Sequence, residues 1–243
     1  MKKTRLLVVA VALFLLSGFI SGSYAYMYED SYSFAKDLTL GARAGALINQ
    51  CDKNYIFGMP ARGLADISIK GKDGWFMEVM LDKKLSDYFL IGLESGVLKY
   101  DFDMTVNPVT VSNISGDMGS FTVIPLIAHL RAQYPIEQYT EYSDMYYKFA
   151  PYVSVGIGGM FVDFEQAPYV TSTNSYFTTD SSALTGKYGL GFDFFFTEHL
   201  AINVEGSYLG YDVKTNLSND GITDDEEVEN NSWVVGGGVK YAF

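Results

Sequence analysis

The stretch WVVGGGVKYAF, residues 233–243, carries the pattern that decides the fold. Every second residue from Phe243 back to Trp233 is apolar or glycine, with aromatic residues at both ends. The residues between them are small or charged, as Lys240 is. Such alternation is typical of a β-strand with two different faces. Because a terminal apolar strand would be a frayed edge in a water-soluble sheet, the pattern predicts a strand that closes a barrel and turns one face toward lipid.

Seven further segments repeat this alternation, and residues 184–196 show it most clearly. Across all the segments the apolar face carries almost no charge, whereas the opposite face carries most of it, which is the reverse of a water-soluble β-sandwich. The predicted strands span residues 37–49, 75–85, 89–100, 121–134, 151–164, 184–196, 200–211 and 233–243. Because an even number of strands that closes on itself leaves no unpaired edge in lipid, the sequence predicts an all-β fold, an eight-stranded antiparallel transmembrane β-barrel.

The connections between these segments alternate in length. They are short at Lys84–Asp87 and at Thr197–His199. The long connections span about residues 50–74, 101–120, 165–183 and 212–231. Short turns at one end and long loops at the other indicate an outer-membrane barrel with both termini in the periplasm. Residues 135–149 depart from this pattern, and their tyrosines predict a segment at the lipid interface, with a docking site for a soluble protein as the alternative.

The amino terminus predicts a cleaved secretory signal peptide over residues 1–25. Basic residues at positions 2, 3 and 5 precede the apolar run Leu6–Ile20, which is too short to span a membrane comfortably as a helix. The small residues of Ser23-Tyr24-Ala25 then provide a cleavage site. Residues 26–243 are expected to form a single outer-membrane barrel domain.

The composition fits this class and excludes others. Hydrophobic residues make up 48% of the chain and aromatic residues 16%, although it contains 24 glycines, a combination that transmembrane barrels need. The formal net charge of −12, without clusters of Lys or Arg, argues against nucleic acid as a partner. The single cysteine, Cys51, excludes an internal disulfide framework, and we interpret it as an incidental loop residue, with a reactive or intermolecular thiol as the alternative.

Four stretches resemble the small eight-stranded outer-membrane proteins, above all the OmpW family, with the OmpX and OmpA barrels as relatives. They are FTVIPLIAHLRAQYP (121–135), KFAPYVSVGIGGMF (148–161), YGLGFDFFFTEHLAINVEGSYLGYDVK (188–214) and the terminal WVVGGGVKYAF. The resemblance implies a narrow barrel, monomeric or weakly associated, that passes or holds small hydrophobic compounds and is not an enzyme. The aromatic end at Phe243 also resembles the signal read by the machinery that inserts such barrels.

The inward face carries the most informative set of side chains. This predicted charge layer consists of Arg43, Asp82, Glu94, Arg131, Asp193, Glu205 and Lys240. An eight-stranded barrel is just wide enough for side chains to fill it or to hold one small ligand. Because an isolated charge in so narrow a lumen would be costly, charges of opposite sign should pair into a plug. A gated ion path is the alternative.

A second inward set is apolar and is predicted to lie above the charges, away from the periplasm. This upper lumen consists of Leu47, Leu98, Val123, Ile127, Leu209 and Val234, with Met160 and Val162 joining them if no bulge intervenes at Gly158-Gly159. Lys187 is the exception at this height. Because ligand pockets are mostly apolar with a few placed polar groups, the pattern predicts a cup for small hydrophobic molecules. The alternative function is a structural or adhesive surface protein that acts through its long loops.

Three further features of the sequence predict no catalytic or metal site. Pro125 lies in a predicted strand and lacks an N–H, so we expect a bulge there, with a weak seam for lateral exit of an apolar solute as the alternative. The acidic residues of 219–231 do not have the spacing of a calcium loop, so no metal and no cofactor is expected. Neither His129 nor His199 is placed beside a serine nucleophile, so no catalytic site is predicted. The expected partners are outer-membrane lipid, lipopolysaccharide and small hydrophobic solutes.

Overall fold

The computed structural model describes residues 37–50, 52–59, 63–108, 114–139, 146–166, 175–179, 182–219 and 222–243. The predicted signal peptide and Cys51 lie outside these ranges, so both interpretations stay predictions. Thr39–Ala242 form one compact unit, and Leu38 and Phe243 fall outside it. No helix among the described residues is long and apolar enough to cross a membrane.

The described chain forms twelve strands. They are β1 (Leu38–Asn49), β2 (Asp52–Met59), β3 (Gly63–Gly71), β4 (Gly74–Lys84), β5 (Phe89–Pro108), β6 (Ile114–Gln133), β7 (Ile136–Tyr139), β8 (Tyr146–Gln166), β9 (Ser175–Thr179), β10 (Ser182–Phe195), β11 (Leu200–Asn219) and β12 (Ile222–Ala242). Eight of them pair in the order β5-β4-β1-β12-β11-β10-β8-β6, and β6 pairs with β5 to close the ring. The predicted all-β, eight-stranded antiparallel barrel is therefore confirmed.

The other four strands extend this ring at its ends. β3 pairs with the outer part of β5 and carries β2 at its side, while β7 pairs with β8 and β9 with β11. We call the end with the turns of residues 85–88 and 196–199 the lower end, and the opposite end the upper end. The β2–β3 hairpin and β9 lie toward the upper end.

The prediction of long loops is wrong for several connections, because the strands continue into them. The ladder between β11 and β12 runs without a break from Leu200↔Tyr241 to Asn219↔Ile222. β5 and β6 likewise extend into the predicted loop of residues 101–120. The extensions of β11 and β12 are largely polar, so a search for apolar alternation stops below them, whereas in β5 the alternation continues through Phe102, Met104 and Val106. Backbone pairing needs no such alternation, and it continues above the apolar band.

Residues 135–149 also contain a strand. β7 pairs with the start of β8, from Ile136↔Phe149 to Tyr139↔Tyr146. The segment is therefore a hairpin at the lower end instead of an irregular connection, although residues 140–145 lie outside the described ranges. Its predicted place at the lipid interface stays a prediction.

The two predicted bulges are not formed, and the described part of the barrel has one register shift at another place. β8 keeps one register with β6 and β10 through Gly158-Gly159, and β6 keeps its register with β8 through Pro125, so neither predicted bulge is formed. The register of β5 and β6 shifts instead between Phe102 and Asp103. Gly119, opposite this shift, has a φ of 142°, which a residue with a side chain rarely adopts.

The two faces of the wall have the character that the sequence predicts. Leu190 is 68% exposed on the outer face, whereas Asp193 in the same strand is 3% exposed inside the barrel. Aromatic side chains of the outer face cluster at two heights. Toward the upper end Tyr188 stacks on Tyr208, with ring centroids 5.0 Å apart, and Trp233 meets Tyr208 edge to face at 5.3 Å. At the lower end Tyr88 stacks on Tyr134 at 6.4 Å. An apolar band between two aromatic girdles is the exterior of a transmembrane barrel.

A charge on this band should prevent stable insertion. Replacing Leu190 with Arg near the middle of the band is expected to destabilise the inserted barrel by about 2–4 kcal/mol, because the guanidinium would face hydrocarbon. Equilibrium unfolding by urea in lipid vesicles measures the effect. Leu190→Ala is the matched control, and equal stability of the two variants would contradict the assignment of this face to lipid.

Candidate functional site: the divided lumen

The charge layer lies inside the barrel, as a ring of residues from different strands. All seven predicted members, Arg43, Asp82, Glu94, Arg131, Asp193, Glu205 and Lys240, are buried. Each comes from a different strand of the eight that form the ring. Because inward positions recur every second residue, one polar substitution in each strand is enough to bring the seven side chains to the centre of the lumen.

One group of ion pairs surrounds Glu205. Arg43 contacts the carboxylate of Glu78 through Nε, and its Nη1 lies 2.6 Å from Oε2 of Glu205. Lys187 Nζ lies 2.6 Å from Oε1 of Glu94 and 3.1 Å from Oε1 of Glu205. Arg43 also approaches Glu94, with 3.5 Å between Nη2 and Oε2. Two cations thus lie among three carboxylates.

A second group lies closer to the lower end, around Asp82 and Asp193. Arg131 Nη1 is 3.3 Å from an oxygen of each carboxylate. Lys240 Nζ lies 2.9 Å from Oδ2 of Asp193 and 3.5 Å from Oδ2 of Asp82. His129 Nε2 lies 2.7 Å from Oδ1 of Asp82.

Tyr152 connects the two groups from β8, the remaining strand of the ring. Its hydroxyl donates to Oε2 of Glu205 at 2.8 Å and accepts from Nδ2 of Asn203 at 2.9 Å. The Asn203 amide donates in turn to Oδ1 of Asp193 at 2.5 Å. The guanidinium of Arg131 lies over the Tyr152 ring, 3.9 Å from its centroid. The network therefore touches all eight strands of the ring.

The sequence-based layer omits five of these participants, Glu78, His129, Tyr152, Lys187 and Asn203. Glu78 and His129 have the inward parity, so the alternation already contained their signal. Tyr152 also points inward, but a tyrosine gives no sign that it will join an ion network. Lys187 pairs with Leu209 and so lies at the height of the upper lumen, as predicted, but its long apolar stem lets the ammonium reach Glu94 and join the ion network.

The network fills the lower half of the lumen with compensated charge. Among the described residues it contains five carboxylates (Glu78, Asp82, Glu94, Asp193, Glu205) and four Lys or Arg side chains (Arg43, Arg131, Lys187, Lys240). Removing one partner of a buried pair costs about 3–5 kcal/mol, since the other charge stays buried without compensation. An ion that crossed this layer would have to compete for the same side chains.

The upper half of the lumen is apolar. All six predicted residues of the upper lumen, Leu47, Leu98, Val123, Ile127, Leu209 and Val234, are buried in one cluster. Met160 and Val162 belong to it as well, as expected in the absence of a bulge at Gly158-Gly159. Sequence reasoning missed the aromatic residues of the cluster, which include Phe76, Tyr100, Phe102, Phe121 and Tyr211. These side chains pack together, so a bound molecule would have to displace some of them.

Pro125 leaves a gap in the wall beside this apolar region. β5 and β6 pair at Ser95↔Leu126 and again at Leu98↔Val123. Between these two pairs, Gly96 and Val97 form no ladder pair with β6. Proline has no N–H to donate, which interrupts the ladder on this side only. The hydroxyl of Ser95 donates to the Pro125 carbonyl at 2.8 Å and replaces one bond. The barrel thus has a seam of two unpaired positions, without a change of register.

Solved structures similar to this one are outer-membrane barrels. The outer membrane protein OprG from Pseudomonas aeruginosa matches with a TM-score of 0.60 and 15% sequence identity, over 86% of this chain and 98% of OprG. The outer membrane protein AlkL, solved by solid-state NMR in DMPC lipid bilayers, matches with a TM-score of 0.52 and 15% identity, over 88% of this chain and 94% of AlkL. No protein-family model and no curated protein sequence matches the chain.

At this level of identity the similarity concerns the fold. It agrees with the closed ring of eight strands and with the apolar exterior between two aromatic girdles. Such an exterior requires lipid around it, since a band of exposed apolar side chains would aggregate in water. The chain is therefore a small eight-stranded β-barrel protein of the outer membrane.

Proposed function

We propose that the barrel takes small hydrophobic molecules into its upper lumen and prevents ions from crossing its lower half. The division of the lumen into an apolar half and a charged half supports this function most directly. A water-filled pore would need polar residues along its whole length. The apolar half offers no compensation to an ion, and the charged half offers no favourable contact to an apolar solute.

The seam at Pro125 supplies an exit for such a molecule. It lies in the wall between Leu98 and Ile127, two residues of the upper lumen. A solute that leaves here passes sideways into the hydrocarbon and avoids the charge layer below. The backbone groups of Gly96 and Val97 form no ladder bonds to β6 that this passage would have to break.

The orientation and the partners belong to the same proposal. With the upper end facing the outside, the apolar half would receive solutes from the lipopolysaccharide layer. The lower end, with its short turns, would then lie in the periplasm together with both termini. The strand that ends at Phe243 would present its aromatic residues to the barrel-insertion machinery. That the barrel is no enzyme, and binds neither metal nor cofactor, stays a prediction.

A structural or adhesive role is the second candidate, and one observation favours it. The β11–β12 hairpin continues well beyond the row of Tyr188, Tyr208 and Trp233, and so projects from the membrane. In that role the packed upper lumen would be a permanent core. Binding of apolar molecules separates the two candidates, because only the first requires it.

A charge in the upper lumen should abolish binding of an apolar probe. Leu209→Asp is expected to weaken binding at least tenfold, about 1.4 kcal/mol, because the carboxylate brings water into the apolar half. Leu209→Ile conserves the volume and is the matched control. Fluorescence titration with a naphthalene probe, in barrels whose fold is verified by circular dichroism, measures the effect. Undiminished binding by the aspartate variant would favour the structural or adhesive role.

The charge layer should act as the barrier to ions. Removing Arg131 and Glu205 together leaves space in the lower lumen and is expected to raise single-channel conductance severalfold in planar bilayers. The exposed pair Lys72–Asp103, with 2.7 Å between Nζ and Oδ1, provides a matched double alanine control. Equal conductance of the two double variants would show that the barrier lies elsewhere.

Restoring the missing donor at position 125 should close the seam. Pro125→Ala supplies an N–H to the ladder with β5 and is expected to slow transfer of a bound apolar probe into surrounding lipid, with little change in its equilibrium binding. Pro151→Ala, in β8, is the control for proline removal. Stopped-flow release of the probe into empty vesicles gives the rate, and an unchanged rate would place the exit elsewhere.

A further inference from the structure

Two tyrosines meet across the upper half of the barrel. Tyr100 lies in β5 and Tyr211 in β11, which are four places apart in the ring of eight and therefore opposite each other. Their hydroxyl groups form a hydrogen bond, and the two residues are only 2% and 3% exposed. This pair is a bar that spans the diameter of the lumen.

The bar lies directly above the apolar residues of the upper lumen. Tyr100 is the next inward residue above Leu98 in β5, and Tyr211 is the next inward residue above Leu209 in β11. Both tyrosines belong to the buried apolar cluster, as Phe102 does. A molecule that enters from the upper end must therefore part the two hydroxyl groups before it reaches the six residues of the upper lumen. The charge layer closes the lumen below.

The surroundings of the bar are aromatic. Tyr100 stacks on Phe121, with ring centroids 5.7 Å apart and planes inclined by 7°, and it packs against Phe102 at 5.4 Å. A hydrogen bond between neutral groups is worth more in such an environment than in water, and a hydroxyl that loses it there is penalised. Parting the bar is consequently unfavourable for a molecule that offers no hydrogen bond in return.

We propose that Tyr100 and Tyr211 select the solutes of the upper lumen, and that they favour molecules with an apolar body and one uncharged hydrogen-bonding group, such as an alcohol. This inference rests on the proposed function. A solute hydroxyl can bond to either tyrosine and replace the bond that its entry breaks, whereas a pure hydrocarbon cannot. A site that is built to bond a hydroxyl discriminates strongly against the analogue that lacks it.

The charges below the bar favour a solute whose polar group is neutral. The ion network of the described residues has five carboxylates and only four Lys or Arg side chains, so it offers no excess of positive charge to an anion. The cations are also already engaged, as Lys187 is with Glu94 and Glu205. An organic acid would gain no counter-ion, and an organic cation would meet apolar surroundings at the bar.

Toluene, benzyl alcohol and benzoate form a matched series of probes. Their binding to the full barrel in lipid nanodiscs is measured by calorimetry, with empty nanodiscs subtracted to remove partition into lipid. We expect benzyl alcohol to bind about tenfold more tightly than toluene, and benzoate to bind most weakly. In the double variant Tyr100→Phe with Tyr211→Phe, benzyl alcohol should lose this advantage, while toluene binds as well as before or better.

Tyr208→Phe is the control, because it removes a hydroxyl from the outer face of β11 and keeps the shape of the side chain. It should leave all three affinities unchanged. If the double variant retains the preference for benzyl alcohol, or if Tyr208→Phe abolishes it, the selective role of the bar is overturned while the hydrophobic function stands. If wild-type barrel binds neither toluene nor benzyl alcohol, the proposed function itself fails, and the role of the bar fails with it.

Discussion

The structure depends on one constraint, which is that every charge inside a lumen of eight strands must have a partner. There is no room for bulk water to solvate an isolated carboxylate or ammonium at this width. The protein meets the constraint by placing at least one charged residue of each of seven strands in the network, with Tyr152 completing the ring from the eighth. Most of the ion pairs join residues of strands that are not neighbours in the ring, so a shift of one strand by two residues would separate several pairs at once.

The charge layer also makes the two halves of the lumen different. Above it the inward residues are leucine, valine, isoleucine and aromatic side chains, which pack as a soluble core would. A molecule that prefers the apolar half has no favourable path through the charged half, and the interrupted ladder at Pro125 lies at the side of the apolar half. The proposed entry, retention and exit of a solute would therefore use different parts of the barrel.

Sequence alternation was sufficient for the barrel and for the polarity of its two faces, because lipid on one side and a narrow lumen on the other impose a period of two. It also placed seven charges on the inward face, such as Arg43 and Asp193, but it did not indicate which of them pair. It was insufficient where the period carries no information. The upper extensions of β11 and β12 have no continuous apolar face, Lys187 acts through the end of a long flexible side chain, and the Tyr100–Tyr211 bond depends on which strands lie opposite in the ring. Pro125 was recognised as unusual, but a proline alone does not distinguish a bulge from a missing ladder bond.

The pairing of β1 with β12 has a consequence for biogenesis. Thr39 pairs with Ala242, so the ring closes only when segments about two hundred residues apart in the chain meet. Contacts of such large sequence separation form slowly, because the intervening chain must first be ordered. Until then Arg43 lacks Glu205 and Lys240 lacks Asp82, and each keeps only the carboxylates on its own side of the seam. A nascent barrel whose seam is still open would expose these charges, and a membrane would resist accepting them. Closure of the ring therefore also completes the neutralisation of the interior, and a protein that assists the first step assists the second.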